Sequence, residues 1–282
     1  MKNKSPIIIN TISSFLLWRK KVSGSVGFVP TMGALHEGHL SLIRKSKEEN
    51  DKTVCSIFVN PTQFTEKSDF ATYPKTLSSD INLLLKEGVD MLFNPAAKTI
   101  YPPDYKTKQY DLAGLDKNLE GHLRPGHFQG VCNVLDRLFK IVPADRAYFG
   151  QKDFQQTVVV FHLCKLLGIQ TDVVVCPIIR EENGLAMSSR NNRLTDELRK
   201  NAGFIFSSLI QLKQYFKQGN FKQGIDSFIK NISEHDGANL EYLKIVNMQS
   251  LQETDNYEQK SKIALTVVNY HGVRLLDNIR LD

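Results

Sequence analysis

Apolar positions along the 282-residue chain follow two rhythms. Short, mainly apolar runs at 25–29, 53–60, 89–93, 146–150 and 171–177 have the length of buried strands. Between them, 40–49, 76–88, 131–141 and 153–167 repeat apolar residues at helical spacing. Strand and helix in alternation predict a parallel sheet covered by helices on both faces, the doubly wound α/β arrangement. Such sheets bind ligands beyond the carboxyl ends of their strands, so polar clusters that follow strands are the candidates for chemistry. Past about Pro177 the rhythm changes: 195–216 and 221–232 read as helices, and 240–248, 263–269 and 273–276 as short strands. That change predicts a smaller C-terminal α+β domain and a division into 1–176 and 177–282.

Composition narrows the class. Hydrophobic residues make up 41% of the chain, enough for a sizeable core. The start of the chain lacks the long apolar segment of a signal peptide, and no apolar run approaches membrane-spanning length, so a cytoplasmic protein is expected. Cys55, Cys132, Cys164 and Cys176 are widely spaced in apolar segments and form no C-x-x-C, which reads as buried reduced thiols rather than a disulfide framework or zinc ribbon. A net charge of +6 raises the question of nucleic acid. The excess lies mainly in residues 1–190, at net +5 against +1 for 191–282, and it is scattered. Without a Lys/Arg-rich helix or an aromatic RNA-binding motif, it suits a small polyanionic substrate better than a nucleic-acid surface.

The most informative polar cluster runs from Pro30 to Leu40, an H-x-G-H sequence between the first of these strands and its helix. His36 and His39 would share one helix face near a helix start, where N–H groups and the dipole favour phosphate. Two histidines at this spacing could instead ligate a metal. Cys55 lies on a separate strand, however, and no third ligand stands nearby at zinc-site spacing, so phosphate is the preferred reading. Neither a dinucleotide G-x-G-x-x-G nor a P-loop is present. Four further clusters carry polar groups. Residues 59–64 leave a strand at a proline turn and offer the Gln63 amide, though taken alone this is a common turn. The glycine-dense 120–130 reads as a mobile lid or merely a long loop before a helix near Val131. Residues 149–156 offer Lys152 as a phosphate cation, Asp153 as a first-turn acid or an ordinary helix cap, and Gln156 on the inner face. Residues 185–191 set Ser188 and Ser189 beside Arg190, a combination suited to bracing phosphates but weak as a motif by itself.

Together, Pro30-Thr31-Met32-Gly33, the His36/His39 pair, Ile57-Phe58-Val59-Asn60-Pro61, Gln63-Phe64, Tyr73-Pro74, Arg124-Pro125-Gly126-His127-Phe128, Gly150 to Gln156 and Gly184 to Asn191 resemble one family. It is the pantoate–β-alanine ligase (pantothenate synthetase) family of the H-x-G-H nucleotidyltransferase superfamily. The likeness covers most of 26–191 and thins beyond to fragments such as Leu275-Leu276-Asp277-Asn278. One departure is visible: Gly150-Gln151-Lys152-Asp153 stands where the family usually has Gly-Glu-Lys-Asp, so a carboxylate is lost while Lys152 is kept.

The resemblance implies a Rossmann-like first domain binding nucleotide and pantoate, and a smaller domain closing over the nucleotide as a lid. It implies ATP-dependent joining of pantoate and β-alanine through a pantoyl adenylate, with Mg²⁺ on the phosphates and no dedicated protein cage. On matching positions, His39 is the principal catalytic donor, His36 supports it, and Lys152 and Arg190 neutralise developing charge. The ATP site would comprise Met32, Gly33, Ala34, Leu35, His36, Glu37, Gly38, His39, Gly150, Gln151, Lys152, Asp153, Ile179, Met187, Ser188, Ser189 and Arg190. Gln63 and Gln156 would hold pantoate, with Gln63 also meeting β-alanine. A homodimer is implied, with small-molecule substrates and neither nucleic acid nor membrane as partner. Two other readings stand beside it: a sister nucleotidyltransferase with another acceptor, and a basic RNA-binding or regulatory module without catalysis.

Overall fold

The computed structural model describes residues 6–254, 256–257 and 260–282. They form two compact units: residues up to Gln151 with Gln155–Pro177, and Lys152–Phe154 with Ile178–Asp282.

The first unit is built on six strands: β1 (Ile7–Ile9), β2 (Val26–Thr31), β3 (Lys52–Ile57), β4 (Met91–Phe93), β5 (Arg146–Gly150) and β6 (Asp172–Cys176). All pair in parallel, in the order β1-β4-β3-β2-β5-β6. Its helices are α1 (Ile12–Lys21), α2 (Glu37–Glu49), α3 (Lys67–Ala71), α4 (Leu77–Glu87), α5 (Ala97–Ile100), α6 (Glu120–Leu123), α7 (His127–Ile141) and α8 (Phe154–Leu167). The pleat sorts strand residues between two cores. Val26, Phe28, Val54, Met91, Phe93, Ala147 and Phe149 enter the one that takes Phe15 of α1, Leu135 of α7 and Leu163 of α8. Val29, Cys55, Ile57, Leu92 and Tyr148 enter the other, with Leu40 and Ile43 of α2 and Leu84 of α4. Burial on both faces is why these strands are written as mainly apolar runs. β2 outlasts the expected end at Val29, running through Pro30 to Thr31, whose carbonyl still accepts from the Phe58 N–H at 3.0 Å.

Strand order reverses at β2, which lies between β3 and β5. The carboxyl ends of β2 and β5 therefore flank the switch point where doubly wound sheets take ligands.

The second unit packs α9 (Asp196–Asn201), α10 (Phe204–Lys217) and α11 (Phe221–Ser233) with an antiparallel sheet of β7 (Ala238–Asn247), β8 (Lys262–Tyr270) and β9 (Val273–Arg280). Leu209, Leu212, Phe228, Ile232, Val268 and Leu275 form its core. The single helix expected over 195–216 is two helices. Gly203 marks the break, lying so close to the Asn183 carbonyl that a Cβ there would stand 2.2 Å from its oxygen.

Candidate active site

The loop between β2 and α2 is held in a conformation its own residues do not favour. Gly33 and Ala34 both have positive φ, +80° and +50°, and the second of these costs strain for a residue with a Cβ. Asp80, buried on the first turn of α4, fixes the loop: its carboxylate accepts from the Ala34 N–H at 3.0 Å and the Leu35 N–H at 2.8 Å. The Thr76 hydroxyl donates to the same carboxylate. Thr31 Oγ1 accepts the Gly33 N–H at 3.2 Å and donates to the Ser56 carbonyl.

The two histidines then cap their own helix. The Gly38 N–H donates to His36 Nδ1 at 3.2 Å, and the His36 N–H donates to His39 Nδ1 at 3.3 Å. A backbone N–H can only donate, so both Nδ1 atoms must accept; the neutral rings therefore carry their proton on Nε2. The rings lie 4.1 Å apart between centroids. This changes the expected source of anion binding. The backbone donors of residues 33–36 and 38–40 are already engaged within the protein, so these amides are not open to an anion at the helix start. Glu37 turns to Arg44, whose hydrogen bond and charge hold its carboxyl below the usual range.

Gln63 ends a short 3-10 turn, Pro61–Gln63, after β3. Asn60, 1% exposed, organises it: Nδ2 donates to Gln63 Oε1 at 2.9 Å and to the Gly130 carbonyl at 3.2 Å, while Oδ1 accepts from the Tyr101 hydroxyl at 2.8 Å. Gln63 Nε2 lies 3.1 Å from Met32 Sδ, which joins two of the expected ligand-binding residues, and the Gln63 carbonyl meets His127 Nδ1 at 2.7 Å. The turn rests on α7 at Gly130, where a Cβ would stand 2.1 Å from the Thr62 carbonyl oxygen. The glycine-dense 120–130 forms α6, a short turn over 124–126 and the first turn of α7, which begins at His127 rather than Val131. Gly121 and Gly130 serve close packing, whereas Gly126 supplies the left-handed residue before α7 with nothing packed against it. Of the glutamines on α8, Gln155 is buried and spent on the Leu115 and Asn118 carbonyls and the Glu120 N–H, which leaves the half-exposed Gln156 as the candidate facing a ligand.

In the second unit, Lys152 sits in a 3-10 turn, Gln151–Asp153, after β5, its Nζ 3.4 Å from Asp153 Oδ1. Ile179 and Met187 face each other across a hairpin, with the Met187 N–H donating to the Ile179 carbonyl at 3.0 Å. That arm leads into Ser188, whose Oγ accepts the Arg190 N–H. The following Asn191, fully buried, donates to Glu181 Oε1 and the Ala186 carbonyl, and Glu181 in turn accepts from Arg199. Asn60, Asp80, Gly130, His127 and Asn191 do not stand out as site residues in the sequence; Asp80, Gly130 and His127 act through partners that no local spacing announces.

Cysteine chemistry is disfavoured. All four cysteines are buried and unpaired by disulfides, and burial pushes the Cys55 and Cys132 thiols up to about 12 and those of Cys164 and Cys176 to about 11. Among the described residues, no three His, Cys, Asp or Glu side chains stand together as a metal cage, and no helix is long and apolar enough to cross a membrane.

Comparison with known proteins gives the family. The profile of the Pantoate-beta-alanine ligase family matches residues 7–280. A pantothenate synthetase of Acetivibrio thermocellus is 42% identical over 98% of this chain and 99% of its own, and one of Bacteroides fragilis is 44% identical over 90% of each. A crystal structure of the Thermus thermophilus enzyme superposes with a TM-score of 0.92 at 36% identity, covering 97% of this chain and 99% of that one. The Francisella tularensis pantoate-β-alanine ligase, complexed with β-γ ATP and β-alanine, superposes with a TM-score of 0.81 at 37% identity over 98% of both chains. The chain belongs to the pantoate–β-alanine ligase family.

Proposed function

We propose that this protein joins pantoate to β-alanine at the expense of ATP. The pantoate carboxylate attacks the α-phosphorus of ATP and pyrophosphate leaves; the amine of β-alanine then attacks the acyl carbon of the adenylate, loses a proton and expels AMP. Such chemistry asks for placement and charge stabilisation rather than a protein nucleophile. The observation that carries the reading is the histidine pair at the carboxyl end of β2, whose Nδ1 atoms accept from backbone donors, which puts the proton of each neutral ring on Nε2.

In this reading His39 is the principal donor to phosphate oxygens and His36 supports it. Gln63, oriented through Asn60, would bind pantoate and meet β-alanine, with Gln156 as the second pantoate residue. Met32 to His39, Gly150, Gln151, Asp153, Ile179 and Met187 would line ATP, and Lys152, Ser188, Ser189 and Arg190 would offset charge as pyrophosphate departs. Family membership and the β-γ ATP and β-alanine bound in the Francisella relative support this reading. Mg²⁺, for which the described residues form no cage, would be held by phosphate oxygens and water and would offset phosphate charge when bound. The reading extends to a cytoplasmic homodimer, the oligomeric part of which sedimentation of the purified chain tests.

The test is pantoate-dependent exchange of labelled pyrophosphate into ATP, followed by β-alanine and assay for AMP and pantothenate. Exchange is expected before β-alanine and product after it. Replacing His39 by Ala should lower exchange by about 100-fold or more with the fold intact. Folded protein that binds ATP but shows no exchange would refute the proposal, and exchange that β-alanine cannot discharge would assign a different acceptor.

A further inference from the structure

Two polar residues sit side by side near the end of the second unit's last strand: Asp277 and Asn278 of β9 are 5% and 2% exposed. Adjacent strand residues point to opposite faces. Asp277 shares the face of Val273 and Leu275, which enter the unit's helix-covered core, and Asn278 takes the other face. Burying either group is costly unless it is fully bonded, and each finds its bonds on a different segment. The Asp277 carboxylate takes both arms of the Arg180 guanidinium, at 2.6 and 2.8 Å. Arg180 also donates to the Gly184 carbonyl at 2.9 Å and lies 3.5 Å from the centre of the Phe206 ring, so it braces the hairpin that runs into Ser188, Ser189 and Arg190. Asn278 Nδ2 donates to the main-chain carbonyl of Lys152 at 3.0 Å. The Asn278 N–H itself donates to Asp277 Oδ1 at 2.7 Å, which couples the two anchors.

We infer that Asp277 and Asn278 are positioning residues for the phosphate-handling groups: Asn278 sets the turn that carries Lys152, and Asp277, through Arg180, sets the hairpin that delivers Ser188 to Arg190. One strand thereby fixes the spacing between groups that lie far apart in sequence. The inference rests on the ligase reading above and deepens it, since neither Asp277 nor Asn278 needs to touch a substrate.

The experiment replaces Asn278 by Ala, alone and together with Lys152→Ala, and reads two quantities. Hydrogen exchange of 150–156 in the free protein reports the anchor, and pantoate-dependent pyrophosphate exchange reports its consequence. In Asn278→Ala the segment should exchange faster and turnover should fall by about tenfold or more, the scale expected when a group is misplaced by an ångström or less. In the Lys152→Ala background the same change should add no more than about twofold, because the side chain whose position the anchor sets is already gone. Turnover at the unaltered level, an unchanged hydrogen-exchange rate, or an equal loss in both backgrounds overturns the inference. Should the Ala variant not fold, Asn278→Ser leaves a smaller void and is read by the same criteria. The unaltered protein is the control for the ligase reading: without exchange there, both fall, whereas exchange there with full activity in Asn278→Ala removes this inference alone.

Discussion

Asp80 does for the histidine loop what no residue within the loop could do. Its two carboxylate oxygens satisfy the N–H groups of Ala34 and Leu35, 46 and 45 residues away in sequence. Removing them with Asp80→Ala leaves two donors without acceptors in a largely buried place, at about 1–3 kcal/mol each. We expect Asp80→Ala to lower stability by roughly 2–5 kcal/mol in urea unfolding and to cut pyrophosphate exchange. Asp80→Asn, which keeps one acceptor and turns an N–H group toward another N–H, should fall between the two. Gly130 has a comparable role at the Gln63 turn. Because the obstructing atom is a backbone oxygen, Gly130→Ala must displace the turn; the expected outcome is a KM for pantoate raised by about tenfold with a much smaller change for ATP, measured by steady-state kinetics. The histidine pair could be read from the sequence because its spacing and its place after a strand are both local. Asp80 and Gly130 could not, since their partners are set by the tertiary fold.

At the scale of elements, the strands that were legible are those buried on both faces. β1 escapes because three isoleucines, two of them exposed, acquire a strand's identity only by pairing with β4. The 120–130 segment misleads for a related reason: glycines that permit close packing against Asp116 and Thr62 look, in one dimension, like glycines that confer mobility. Helix α7 illustrates how charge enters such an element. Asp136, fully buried at its middle, is pushed upward by burial but held below the ordinary aspartate range by hydrogen bonds from Lys108, Lys140 and Tyr110. A carboxyl depressed in the folded state contributes stability that is present above its unfolded pKa and lost as pH falls through the folded one. Thermal melts taken from neutral pH into acid should therefore show a decline that Asp136→Asn makes shallower, at the cost of a lower melting temperature at neutral pH. An acid limb of the same slope in the variant would exclude Asp136 as its source.

The whole molecule divides its labour between units with separate cores. The expected α+β segment was legible in outline from the change of rhythm after Pro177, and its helices and strands fall where the apolar pattern put them, apart from the break at Gly203 and β9, which runs on past the expected Leu276 to Arg280. Phe228, 1% exposed, lies at the centre of the second unit's core. Phe228→Ala should cost about 3–5 kcal/mol there, read as faster hydrogen exchange across α10, α11 and β8. The family resemblance was densest in the first unit because its motifs are short and continuous, whereas the second unit works through pairs such as Arg180 with Asp277.

Lys152–Phe154 belong with the second unit although Gln151 and Gln155 on either side belong with the first. The polypeptide therefore passes from one unit to the other three times rather than once. A gene for the second unit cannot be cut as one uninterrupted stretch, and a fragment ending at Pro177 would keep Lys152 while discarding the strand that bonds it. Exchange of the whole C-terminal segment between relatives by a single recombination near residue 177 would likewise pair each Lys152 turn with a foreign Asn278.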